Sequence, residues 1–233
     1  MAATVYLIPS LLDEEGLRSI PPYITDIAKH CQVLFVENER TARRYLKTLA
    51  KEFVIDNYEW FTMKTDDETA NVFRKKINEG KTIGIISEAG CPGIADPGQH
   101  LTAISHEMNA EVKPLVGPNS ILLALMASGM NGQQFKFNGY LPIKNAERNK
   151  VIKELESESA RKNCTQIFIE TPYRNNQLID AILKICQPST RICIAVDLTG
   201  DKEYIRTRSV AGWKKGKPDI HKRPAIFLLY ASS

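Results

Sequence analysis

The stretch Ile83-Gly84-Ile85-Ile86-Ser87-Glu88-Ala89-Gly90-Cys91-Pro92-Gly93-Ile94-Ala95-Asp96-Pro97-Gly98 concentrates the residues best suited to binding a reactive ligand. An apolar, strand-like run leads into a loop of small residues and prolines, then into a helix start. Ala89, Gly90 and Gly93 lack bulk, so a ligand can lie directly against the backbone. The loop has neither GxGxxG opening a helix nor the GK[ST] of a P-loop, so phosphate cradling of those kinds is unsupported. Main-chain contacts to a nucleoside or an amino-acid group suit it; a merely tight loop is the alternative. Cys91 lies inside it, where a helix N-terminus would lower a thiol pKa. It reads as a small loop residue, with a nucleophilic role as the second reading.

Charge adds two clusters. Arg40, Arg43, Arg44, Lys47 and Lys51 follow one another at roughly helical spacing, and Lys214, Lys215, Lys217, His221, Lys222 and Arg223 crowd one segment. Each suits phosphate contacts or, equally, a solvated surface. The formal net charge of +4 over 233 residues permits an anionic partner without requiring one. His30, His100, His106 and His221 show no metal-ligand spacing, and the five cysteines form no CxxC pair. No metal is expected, and the cysteines read as reduced thiols.

These residues need a scaffold, and the rest of the chain supplies one. Hydrophobic residues at 43% and charged residues at 25% are ordinary globular values. No apolar run approaches the roughly eighteen residues of a membrane span. Met1-Ala2-Ala3-Thr4-Val5-Tyr6 has no positive n-region and leads into a strand, so a cytoplasmic protein without a signal peptide is expected. Strands are expected at 4–8, 33–36, 82–86 and 111–116, with helices at 21–30, 39–50, 66–79 and 97–108. That alternation argues for βαβ units around a mostly parallel sheet. Beyond it, a helix at 118–128 precedes strands at 135–140, 165–170, 191–198, 203–207 and 225–230, with helices at 145–160 and 172–185. The last strands lack long helices between them, so the second sheet should be mixed. Two domains follow, 1–116 and 117–233. Asp96-Pro97-Gly98 should open a helix with an acidic N-cap and proline at the first helical position, as should Gly117-Pro118 and Thr171-Pro172 with other caps. Helix starts at the carboxyl ends of strands are where open α/β sheets bind ligands.

Ser87 to Gly98 resembles the SDAGTPxISDPG signature of the tetrapyrrole-methylase-like S-adenosylmethionine methyltransferases, in the branch that 2′-O-methylates a cytidine of small-subunit ribosomal RNA. Further segments are similar to that branch in order and spacing. Gly117-Pro118-Asn119-Ser120 leading to Ala127-Ser128-Gly129 resembles GPxxxxxAL…SG, and Phe137-Asn138-Gly139-Tyr140-Leu141-Pro142 resembles FxGFLP. Phe168-Ile169-Glu170-Thr171-Pro172-Tyr173-Arg174 resembles FYESxHR. Ala195-Val196-Asp197-Leu198-Thr199 with Glu203 resembles ARELTKxxE. The resemblance implies two α/β domains of the tetrapyrrole methylase type with S-adenosylmethionine in the cleft between them, a homodimer, and ribosomal RNA or the small ribosomal subunit as partner. Carried over by position, the cofactor-binding residues are Pro9, Glu88, Ala89, Gly90, Cys91, Pro92, Ile94, Ser120, Ile121, Ile169, Glu170, Leu198, Pro224 and Ala225. Ile94, Ile121 and Leu198 equally suit a hydrophobic core.

A ribose hydroxyl needs help losing its proton. Glu37 matches the glutamate of the branch's AEDTR, in Val36-Glu37-Asn38-Glu39-Arg40, and is the candidate base; Glu39 and Glu88 are the other carboxylates nearby. A plain Glu37–Arg40 pair at a strand-to-helix turn is the competing reading. Arg40, Arg43 and Arg44 are the candidate substrate contacts. The branch's VPTPIGNLxDIT opening is replaced here by Ile8-Pro9-Ser10-Leu11-Leu12-Asp13-Glu14-Glu15-Gly16, whose acidic residues would repel RNA phosphates. A methyltransferase acting on a tetrapyrrole or other small molecule is one alternative, although that branch's GGD-P stands against Ala89-Gly90-Cys91-Pro92. A non-catalytic module that keeps the cofactor fold is the other.

Overall fold

The computed structural model describes residues 3–231; Met1 and Ala2 of the expected N-terminal strand lead, with Ser232 and Ser233, lie outside it. The chain divides into two compact units, Met1–Asn119 and Ser120–Ser233. The division falls three residues beyond the 116/117 boundary expected from sequence.

The first unit alternates strand and helix throughout. In chain order it runs β1 (Thr4–Ile8), α1 (Tyr23–His30), β2 (Val33–Val36), α2 (Glu39–Leu49), β3 (Glu59–Thr62), α3 (Asp67–Asn78), β4 (Thr82–Ile86), α4 (Gly98–Glu107) and β5 (Glu111–Pro114). The five strands lie in the order β3-β2-β4-β1-β5, every neighbouring pair parallel. Helices cover both faces, which is why Val33-Leu34-Phe35-Val36 is an unbroken apolar run buried at all four positions. On one face Phe35 stacks on Phe61 and meets Phe73 edge-on, among Val5, Ile83, Ile85, Leu101 and Ile104. On the other, Ile8, Leu34, Val36 and Ile86 pack with Ile24, Leu46 and Phe53.

Strand β3 was not expected. It is a short edge strand with every residue at least partly exposed, so it lacks the buried run that marks its neighbours. Helix α4 also begins differently. Pro97 is its N-cap in helical conformation, and Asp96 is not: its carboxylate instead takes the N–H groups of Gly93 (2.9 and 3.0 Å) and Gly98 (2.7 Å). The acidic side chain thus folds the loop onto the helix start. Strand β5 ends at Pro114, short of the expected 116.

The second unit runs α5 (Ser120–Ser128), β6 (Phe135–Tyr140), α6 (Asn145–Lys162), β7 (Thr165–Ile169), α7 (Asn175–Ile185), β8 (Arg191–Val196), β9 (Tyr204–Ser209), α8 (Val210–Lys214) and β10 (Ala225–Tyr230). Its sheet has the order β6-β7-β10-β8-β9, with β6 and β7 parallel and the remaining pairs antiparallel, so it is mixed as expected. Its core joins Phe168, Ile194, Phe227 and Leu229 of the sheet to Ile152, Leu178, Ile182 and Trp213 of the helices. Two helix starts come later than expected. Helix α5 begins at Ser120, after Pro118, and Pro172–Arg174 forms a separate 3₁₀ turn before α7. The five-residue helix α8 is too short to leave a periodic signal.

Candidate active site

Parallel register decides what gathers in the first unit. Ile8 and Val36 both lie beside Ile86, so the chain leaves β1, β2 and β4 at one end of the sheet, at Pro9, Glu37 and Ser87. The three following loops are tied together there. The Ser10 N–H donates to the Gly90 carbonyl at 2.8 Å, and the Tyr45 hydroxyl of α2 donates to the Pro9 carbonyl at 2.6 Å. The Glu88 N–H donates to Glu37 Oε1 at 2.8 Å, and the Thr41 hydroxyl donates to Glu88 Oε1.

Glu37 is half-buried at the centre of this arrangement. Burial pushes its carboxyl above the ordinary carboxylate range, and the Asp96 and Glu88 charges push the same way against the pull of the Glu88 N–H. Among the described residues Glu37 makes no ion pair with Arg40, so the simple turn pair is absent. Asn38 stands where the family has aspartate and does a capping residue's work: its side-chain oxygen accepts from the N–H groups of Arg40 (3.0 Å) and Thr41 (3.3 Å).

The small-residue loop is shaped by its backbone. Gly90 has φ +76°, and a Cβ there would meet the Pro118 carbonyl and Leu12 at 3.2 Å. At Gly117 a Cβ would fall 2.1 Å from that of Pro9, so only glycine allows the end of this unit to lie against the first loop. Cys91 is half-buried, its sulfur 3.4 Å from the Pro118 carbonyl oxygen. Burial and the Asp96 charge push its thiol up, opposite to the lowering expected from a helix start. Both effects act against a thiolate at Cys91. Pro9 and Pro92 are buried, Glu88 and Ala89 are exposed, and Ile94 at 49% exposure is not a core residue.

The three arginines separate. Arg40 is exposed, Arg43 pairs with Glu39 and lies over the Trp60 ring at 5.2 Å, and Arg44 pairs with Glu14 at 3.2 Å. Only Arg44 lines the cleft of about 420 Å³ at this end of the sheet. Thr41, Tyr45 and Thr48 line it as well, and sequence reading passed over them. Their spacing of three and four residues along α2 was the available signal.

The second unit collects its own set. Ala225 at the start of β10 lies beside Val196, and Ile226 lies beside Ile169, so Ile169, Glu170, Leu198, Pro224 and Ala225 share one sheet end. The Thr207 hydroxyl donates to the Ser128 carbonyl at 2.8 Å, and Arg191 donates to that of Gly129 at 3.3 Å. Those bonds fix the C-terminal end of α5 where β8 begins. Ser120 and Ile121 lie about 12 Å back along the helix. Glu170 has a fully buried carboxylate: Arg174 grips one oxygen (2.6 and 3.0 Å) with the Thr171 N–H (2.6 Å), and Oε2 has no partner among the described residues. The Thr199 hydroxyl is likewise buried and unpartnered. Leu198 is buried at 6% exposure, Ile121 and Ala225 half-buried, and Pro224 exposed. Among the described residues no group of His, Cys, Asp and Glu is arranged to hold a metal ion.

No protein-family model matches the chain. Three curated relatives carry the name ribosomal RNA small subunit methyltransferase I. The protein of Vibrio cholerae is 28% identical over 213 residues, covering 90% of this chain and 70% of that one. That of Escherichia coli O157:H7 is 30% identical over 167 residues (70% and 57%), and that of Micromonospora olivasterospora 29% over 211 residues (89% and 63%). The chain thus spans between just over half and 70% of these relatives' length. Among solved structures, diphthine synthase superposes with a TM-score of 0.67 at 12% identity (99% of this chain, 90% of that one), and the methyltransferase CobJ with 0.62 at 15% (98% and 93%). At that identity the structures speak for the fold alone. With the relatives aligned over most of the chain, it is similar to the ribosomal RNA small subunit methyltransferase I proteins, and it shares the fold of CobJ and diphthine synthase from end to end.

Proposed function

We propose that the protein methylates a cytidine ribose 2′-hydroxyl of small-subunit ribosomal RNA, with S-adenosylmethionine as donor. The observation that carries this reading is the Glu88 N–H to Glu37 bond. It holds a half-buried carboxylate two residues from the start of the Gly90-Cys91-Pro92 loop. The likeness to the family supports a cytoplasmic homodimer.

Residues of each unit, taken separately, suit parts of the cofactor. In the first unit, Gly90 to Pro92 offer a backbone on which any larger side chain at Gly90 would intrude. In the second, the buried unpartnered Glu170 Oε2 and Thr199 hydroxyl lie at the sheet end with Ile169, Leu198 and Ala225, and suit the hydroxyl and amino groups of a nucleoside. Ser120, Ile121 and Pro224 complete that set. When bound, S-adenosylmethionine supplies a methyl group already activated by its sulfonium. Glu37 accepts the proton of the acceptor hydroxyl, and its raised affinity for protons makes it a better base than an ordinary surface carboxylate. Orientation of the acceptor supplies much of the remaining acceleration.

Calorimetric titration with S-adenosylmethionine and S-adenosylhomocysteine tests this directly. Saturable binding at one site per chain is expected, followed by methyl transfer to small ribosomal subunits. Failure of both ligands to bind, with RNA absent or present, removes the methyltransferase reading.

A further inference from the structure

The first loop is where this chain departs furthest from its family's pattern, and it walls the cleft of about 420 Å³ described above, within the range of small-ligand sites. Its acidic residues are not equivalent. Asp13 is committed to its own turn, accepting the Glu15 N–H at 2.9 Å, and Glu88 is committed to Thr41. Among the described residues Glu14 pairs only with Arg44, at 3.2 Å, and both side chains are mostly exposed (84% and 69%). Such an ion pair is weakly held and exchanges readily. Ser10, also lining the cleft, is 4% exposed, and its hydroxyl has no hydrogen-bond partner among the described residues. A buried hydroxyl left this way is rare in folded proteins, and a ligand that engages it relieves its cost.

We propose that this cleft receives the base of the acceptor nucleotide, and that Glu14 selects a base carrying an exocyclic amino group while Arg44 turns to a neighbouring phosphate. The inference rests on the methyltransferase reading given above and names what sets its acceptor. A carboxylate only accepts hydrogen bonds. It therefore pairs with the amino group of cytosine and faces the O4 of uracil with acceptor against acceptor. The acidic loop, unfavourable to a phosphate backbone, is tolerated because a base edge enters there, and Arg44 offsets the one phosphate carried with it.

The test uses the full chain titrated with cytidine 5′-monophosphate and with uridine 5′-monophosphate, followed by backbone amide shifts of residues 10–16. Cytidine monophosphate is expected to bind at least about fivefold more tightly, the lower bound for one good base contact. Glu14→Gln, whose amide can both donate and accept, should bring the two affinities within about twofold. Glu15→Gln, which lies outside the cleft lining, should preserve the preference. Equal affinities in the unaltered protein, a preference that survives Glu14→Gln, shifts confined to other segments, or no binding of either nucleotide at millimolar concentration would each overturn the inference. A Glu14-dependent preference in a protein that transfers no methyl group would uphold base selection and sink the methyltransferase reading. Methyl transfer with a Glu14-independent preference would do the reverse.

Discussion

In the proposed reaction the chemistry at the residue scale turns on Glu37, whose position sets its partner and raises its affinity for a proton. It leaves β2 beside the loop that leaves β4, takes the Glu88 N–H, and is half-buried near two further carboxylates. A base works only when deprotonated, so the rate must fall as pH drops through its pKa. Since that pKa is raised, the acid limb of the pH–rate profile is expected above the range of an ordinary glutamate. Glu37→Gln should cut methyl transfer by about 10² or more, leave S-adenosylmethionine affinity unchanged, and abolish that limb. Transfer at the normal rate with the limb intact would assign the proton to another group. Cys91 is the contrasting case: its neighbours suppress the thiolate, so nothing at that position favours covalent chemistry.

Helix α2 does more than fill space beside the sheet. Asn38 caps its start, Thr41 reaches Glu88, Tyr45 reaches the Pro9 carbonyl, and Arg44 reaches Glu14, so a single helix braces the loops after β1 and β4. Asn38→Ala should lower stability by about 1 kcal/mol, read as a shifted denaturant midpoint with an unchanged slope. Asn38→Asp should restore it, because aspartate caps equally well and its charge suits a helix N-terminus. The main strands were legible because burial on both faces writes unbroken apolar runs into the sequence, as at Val33–Val36. Strand β3 escaped because an edge position asks little of its side chains, although Trp60 and Phe61 were a usable sign. The loop motifs singled out segments that the structure places where strands end, at Pro9, Glu37 and Ser87 in one sheet and at Ile169 and Ala225 in the other. What they did not disclose was partnership. That Arg43 goes to Glu39 and Trp60 while Arg44 goes to Glu14 follows from helix phase against neighbours far away in sequence.

Across the whole molecule, the surplus of positive charge is unevenly spent. Lys217 pairs with Asp180, but Lys214 and Lys215 are exposed and make no ion pair among the described residues, close to Arg208 over the Trp213 ring. If ribosomal RNA lies along this segment, replacing Lys214 and Lys215 by Gln should reduce the slope of log affinity against log salt by between about one and two; an unchanged slope excludes the segment from the interface. The opposite economy holds at the carboxyl end of the first sheet. The apolar clusters that hold this unit draw on strands and helices, and from residues 9–16 and 87–97 they take only Leu11, partly buried. The exposed tip of the first loop, at Asp13 to Glu15, is consequently uncoupled from that core. A lineage can rewrite the first loop, exchanging a glycine-asparagine turn for Asp13-Glu14-Glu15, without renegotiating the core, provided Gly117 still lets Pro9 lie against it. Divergence in what this end of the sheet recognises can therefore run ahead of divergence in fold.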